Sequence, residues 1–162
     1  MNEVNTCRLF ERFDYLYRGR HLPDTQNLMC YGFSCGDGWF ALIWQLSEQV
    51  EAYCQTHPDA ADLMVVQVKQ KLGELRFYTQ PKIWDVEYLI EAARIRCLRH
   101  TGTCSLQSCE LTGTPGSLCY SQVGQDPGYY QTLCPEKALE LGFRSITTVR
   151  VEWQLPFRPS AK

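Results

Sequence analysis

The stretch Leu63-Met64-Val65-Val66-Gln67-Val68-Lys69-Gln70-Lys71-Leu72-Gly73-Glu74-Leu75-Arg76-Phe77-Tyr78-Thr79-Gln80-Pro81 decides the fold class. Met64, Val66 and Val68 alternate with Val65, Gln67 and Lys69, the period of a strand with one buried face. Gly73 supplies a turn, and Leu75-Arg76-Phe77-Tyr78 returns as the second strand of a hairpin. Pro81 has no amide hydrogen to give a ladder and closes the unit.

On either side the period becomes helical. Upstream, Trp39, Leu42, Ile43, Leu46, Val50 and Tyr53 recur at three- and four-residue spacing, predicting a helix that His57-Pro58 ends. Gly36-Asp37-Gly38 precedes it, which makes Asp37 the expected N-cap. Downstream, Val86, Leu89, Ile90, Ala93 and Cys97 form one face of a second amphipathic helix, with Asp85, Glu87, Glu91 and Arg94 on its wetter side. A shorter helix over 6–18 carries Leu9, Phe10, Phe13, Leu16 and Tyr17, and His21-Leu22-Pro23-Asp24 breaks it. Near the end, 146–155 alternates as a strand, Val149, Val151 and Trp153 against Arg150, Glu152 and Gln154, and is expected to extend the hairpin's sheet.

The expected architecture is therefore α+β, amphipathic helices packed on a small antiparallel sheet. Residues 1–100 form the α+β core, 101–143 a Cys-bearing loop module, and 144–162 the C-terminal strand and tail. A chain of 162 residues, 44% hydrophobic and 12% aromatic, is long enough to build one core without disulfides. No stretch approaches the roughly 20 apolar residues of a membrane span. Met1-Asn2-Glu3-Val4-Asn5 lacks the basic and apolar runs of a secretory signal, so the expected compartment is the cytoplasm, where the nine cysteines stay reduced.

The module holds Cys109-Glu110-Leu111-Thr112-Gly113-Thr114-Pro115-Gly116 and, further on, Leu133-Cys134-Pro135-Glu136-Lys137. Zinc knuckles place two ligands three positions apart so that a tight turn aims both at one tetrahedral ion. Each pair here keeps its first member, while Thr112 and Lys137 stand at the second positions. A protonated Lys is not a ligand and Thr is a poor one. The expectation is no cofactor. The alternative is a structural zinc in which Cys104 and Cys119, or His100, join Cys109 and Cys134.

Three ordered segments resemble a family of small, largely uncharacterised proteins encoded by phages and prophages. Cys35-Gly36-Asp37-Gly38-Trp39-Phe40-Ala41-Leu42-Ile43 is similar to the family stretch C-G-D-G-W-x-x-L-I. The hairpin from Gln67 resembles Q-V-K-x-K-x-G-x-L-R-F-Y. The module is similar to C-x-x-C-G-x-P-G followed by T-L-C-x-x-H, with Thr112 and Lys137 as departures. The resemblance covers about residues 30–140. It implies a mobile-element origin and a small α+β domain with a degenerate zinc-ribbon-like appendage, and it implies no catalytic mechanism.

For function, the formal net charge of −2 removes a global attraction to phosphate. Within 101–143 the acids Glu110, Asp126, Glu136 and Glu140 oppose Lys137 alone. The tail reverses this with Arg144, Arg150, Arg158 and Lys162 against Glu152. No P-loop, GxSxG, HExxH or dinucleotide fingerprint is present. The expected function is a non-enzymatic phage or mobile-element protein that binds a host protein in the host cytoplasm, with inhibition of a host defence complex as a specific form. Lys69, Lys71, Arg76 and Tyr78 on the hairpin are the candidate binding residues. A zinc-ribbon nucleic-acid-binding or regulatory protein is the alternative, which the module's charge disfavours. A thiol enzyme is the third reading. It needs Cys35 activated at a helix start and a partner among His21, His57 and His100.

Overall fold

The computed structural model describes residues 1–96, 104–121 and 128–146. Cys97, His100, Asp126 and residues 147–155 of the strand expected over 146–155 lie outside the described residues, as do Arg158 and Lys162.

Helix α1, Glu3–Arg12, begins where the Asn2 side chain accepts from the Asn5 amide at 2.8 Å. That bond satisfies one of the free N–H groups of the first turn. The helix therefore starts earlier than the expected 6–18 and stops at Arg12. Phe13, Leu16 and Tyr17 enter the core from the turns that follow it. Short 3-10 turns lead to β1, Phe33–Ser34, and another, Asp37–Trp39, runs directly into helix α2, Phe40–Thr56. Strands β2, Met64–Lys71, and β3, Glu74–Gln80, form the expected hairpin. Helix α3, Trp84–Glu91, continues as a π-helical turn over Ala92–Arg96.

The hairpin turns through Leu72 and Gly73 with φ of 56° and 79°, the two left-handed residues of a type I′ turn. A bulge between Val65 and Gln67 changes the expected alternation. It inserts Val66 as an extra residue, so Val65 and Val68 are the pair that points into the core. On the other edge of β2, β1 pairs parallel, Phe33 opposite Val68 and Ser34 opposite Lys69. Helices α1, α2 and α3 contribute Leu9, Ile43, Leu46, Val50, Val86 and Ile90 to one core with Val65, Val68, Leu75 and Phe77 of this sheet. Each such side chain contributes about 1.5–3 kcal/mol by leaving water. The buried Tyr17 hydroxyl is paired with Ser47 at 2.7 Å, and Ser47 donates onward to Ile43 O.

The Cys-bearing region is a second small sheet rather than a loop. Strands β4, Ser117–Ser121, and β5, Tyr129–Leu133, pair antiparallel. Helix α4, Pro135–Glu140, follows and ends before Gly142, whose φ is 72°. Strand β6, Arg144–Ser145, pairs with the free edge of β4, and Ile146 N donates to Leu118 O at 2.9 Å. Residues 144–146 thus add to this second sheet, and apart from Ile146 the strand expected to extend the hairpin's sheet lies outside the described residues. A five-residue core of Cys109, Cys119, Leu133, Cys134 and Ala138, with Phe143 against it, holds the unit together.

Candidate functional site

The loop Cys35-Gly36-Asp37-Gly38-Trp39 and the turn Ser108-Cys109-Glu110-Leu111-Thr112-Gly113 meet face to face. The turn is closed by Gly113 N donating to Cys109 O at 2.8 Å, with Gly113 at φ 75°. Gly38 N donates to Glu110 O at 2.8 Å, Trp39 Nε1 to Ser108 O at 2.8 Å, and Gly36 N to Glu110 Oε1 at 3.0 Å. A Cβ on Gly38 would collide with the Cys109 carbonyl and stand 2.6 Å from Thr112 N. The glycines in this motif are needed for that close approach. Trp39 is fully buried at the join.

Asp37 is not the N-cap of α2, whose capping position is Trp39, without a side-chain bond. Its carboxylate instead accepts from Asn2 N at 2.9 Å and Asn5 Nδ2 at 3.0 Å, tying the start of α1 to the loop. The hydrogen bond from the Asn2 backbone is the main reason its carboxyl lies below the usual range. Glu110 is 4% exposed, and burial pushes its carboxyl up despite hydrogen bonds from Gln131 and Gly36 and the nearby Met1 ammonium. Nothing in the sequence around Glu110 marked it, because every group that fixes it is distant along the chain.

Of the candidate metal residues, Cys109, Cys119 and Cys134 share the small core. Cys104 is buried outside that cluster, in a turn where Ser105 N donates to Ala93 O at 3.0 Å. At the second ligand positions, the Thr112 hydroxyl donates to Cys134 Sγ at 3.8 Å, and Lys137 Nζ turns away to Glu140 at 2.6 Å. Among the described residues, no three His, Cys, Asp or Glu side chains converge to hold a metal ion. The described side chains alone do not complete a zinc shell, and His100 lies outside them. The Lys137 backbone N–H brings the Cys134 thiol down to about 7, with Thr114, Thr112 and Cys109 acting in the same direction.

The third reading needs an activated thiol at Cys35. Cys35 is a core residue, and burial raises its thiol to about 12. The charges that act on it are the N-terminal ammonium, Glu110 and Asp37. His21 and His57 are both exposed, and His57 stacks on Tyr53 with ring centroids 3.8 Å apart.

The four candidate binding residues do come together on the hairpin face turned away from the core. Lys69 stands directly opposite Arg76, Gln67 opposite Tyr78, and Lys71 opposite Glu74. Lys69 Nζ lies 5.8 Å from the Tyr78 ring centre. Arg76 pairs with Glu74 at 2.9 Å, and Arg94 bonds the same carboxylate. Among the described residues, neither Lys69 nor Lys71 has an ion-pair partner.

A cavity of about 320 Å³ that sequence reading missed lies between the chain after α1 and the end of α2. Tyr15, Leu16, Cys54, Ala61 and Leu63 line it, with Glu51 and Gln55. Glu51 is held by Arg12 at 2.8 Å. Among the described residues, no helix is long and apolar enough to cross a membrane. No family model matches the chain, and no curated protein or solved structure matches it significantly.

Proposed function

We propose that this chain is a non-enzymatic binding protein of phage or mobile-element origin that docks an acidic surface of a host protein on the outer face of its hairpin. The observation that carries the reading is the Lys69–Arg76 pair. Like charges directly opposite each other across a hairpin cost stability. Lys71 adds a further positive charge on that face, and neither lysine has a carboxylate partner among the described residues. A chain of net charge −2 thus keeps two lysines without an ion-pair partner beside an exposed tyrosine, next to an Arg76 that Glu74 holds. Tyr and Arg are the residues that interfaces favour. The acids of the second unit repel phosphate, which supports a protein partner over a nucleic acid. The phage origin, and inhibition of a host defence complex as its specific form, rest on the resemblance of the three sequence segments.

The test is affinity capture from bacterial lysate with the wild type and the Lys69→Glu/Lys71→Glu double variant, at low and high salt. A protein held by the wild type, released by salt and lost from the double variant supports the reading, provided a Leu139→Lys control retains it. Capture unaffected by the charge reversal sinks the hairpin face. Capture that disappears on nuclease treatment favours nucleic-acid binding instead.

A further inference from the structure

The knuckle positions 109, 112, 134 and 137 hold two thiols and no complete ligand set. We infer that Cys109 and Cys134 are an oxidisable dithiol, the site of a reversible disulfide that links the knuckle to the start of α4 where an ion would otherwise do so. The inference is independent of the proposed partner.

Three observations support it. The two side chains are neighbours: both lie in the same five-residue core, and the hydroxyl of Thr112, in the knuckle that Cys109 opens, donates to Cys134 Sγ at 3.8 Å. Their backbones are already held in place. Cys109 N donates to Thr114 O and Glu110 N to Thr132 O, each at 2.8 Å, while Ala138 N donates to Cys134 O at 2.9 Å. Only Cys134 of the pair reaches the surface, since Cys109 is fully buried. Cys134 is 7% exposed beneath the exposed Thr112 and Thr114, whereas Cys104 is fully buried. Cys119 shares the core, but its thiol donates to Ser117 O at 3.2 Å on its own strand.

Hydrogen peroxide is a sufficient oxidant. The Cys134 sulfur attacks one peroxide oxygen, the O–O bond breaks, and the second oxygen leaves as water with the thiol proton. The Cys109 sulfur then attacks the Cys134 sulfur, the S–O bond breaks, and a second water leaves with the Cys109 proton. Two thiols and one peroxide yield one disulfide and two waters.

The experiment uses full-length, reduced protein carrying Cys7→Ser and Cys30→Ser, which removes the two thiols that are exposed among the described residues. After graded hydrogen peroxide the protein is unfolded, alkylated and cleaved after glutamate. Cuts at Glu110 and Glu136 put Cys109 and Cys134 on separate peptides, the first also carrying Cys97 and Cys104 and the second Cys119, and fragment-ion sequencing assigns the linked sulfurs. Expected is a linked peptide pair lighter by two hydrogens, reversed by dithiothreitol and formed at peroxide concentrations that leave Cys35 and Cys104 fully alkylatable. Cys109→Ser and Cys134→Ser each remove the link, and Cys119→Ser keeps it. Wild-type protein in which Cys109 and Cys134 stay alkylatable overturns the inference. A link from either residue to Cys119 overturns it equally, and neither result depends on the serine variants folding.

Discussion

Gly38 lies against the Cys109 carbonyl so closely that no side chain fits between them. Two motifs that sequence reading treats as separate, the loop opening α2 and the knuckle, are therefore the two halves of one contact. Gly38→Ala is expected to cost about 3 kcal/mol, the upper end for forcing a methyl into packed backbone. Gly142→Ala is the control: its φ is 72° with nothing within 4 Å, so only the left-handed backbone penalty of about 1 kcal/mol applies. Urea unfolding of both variants, followed by Trp fluorescence, measures the difference. Equal losses would mean that the contact is incidental.

Glu110 gives this junction a pH dependence. Its carboxyl is raised in the fold, so the stability it contributes is complete below the ordinary carboxylate range and is lost as pH rises through the raised value. Gly36 N, Gln131, Cys35, Tyr129 and the Met1 ammonium act on it. Asp37, lowered in the fold, acts in the opposite sense and loses its contribution as pH falls. Comparison with Glu110→Gln isolates the glutamate, since the amide oxygen still accepts from Gly36. The variant should be more stable than wild type at pH 8, with the gap closing toward pH 4. A variant less stable than wild type at pH 8 contradicts this.

How much of this was legible follows from how far each determinant reaches along the chain. The α2 face from Leu42 to Val50 was readable because helical periodicity is local. The hairpin was readable too, yet its inward residues were not, since the bulge at Val66 shifts the phase with no mark in the alternation. Asp37 had the position of a cap, but the nearby Asn2 and Asn5 groups claim its carboxylate. Gly36 and Glu110 stand 74 residues apart, and no pattern within either segment announces the other. The hairpin face was foreseeable because strand register alone brings Lys69, Arg76 and Tyr78 to one side.

Charge reversal on the hairpin should separate stability from binding. Lys69→Glu replaces a like-charged cross-strand pair with an opposite one, a gain of about 0.2–1 kcal/mol. It also gives up the contact with the Tyr78 ring, a loss of about 0.5–1 kcal/mol. The net change is expected within about 0.5 kcal/mol of zero in thermal or urea unfolding. A loss well beyond that would show that Lys69 serves the fold rather than a partner.

The thiols should react in an order set by burial. In native protein at pH 8, a maleimide is expected to modify the exposed Cys7 and Cys30 first. Cys35, with its thiol raised to about 12 and only 7% exposed, should react on the timescale of unfolding. Timed quenching and peptide mapping decide it. Modification of Cys35 as early as Cys7 would restore the activated-thiol reading.

The clamp around the knuckle also sets an order of assembly during synthesis. Gly36 leaves the ribosome 74 residues before Glu110, which at about 5–20 residues per second is roughly 4–15 seconds. The helices and hairpin between them can collapse in that interval, leaving the Trp39 indole N–H and a bare glycine edge waiting. The five-residue core of the second sheet is too small to organise much by itself. Its strands therefore arrive at a surface already shaped to receive them, and the fold is completed by docking rather than by a second nucleation.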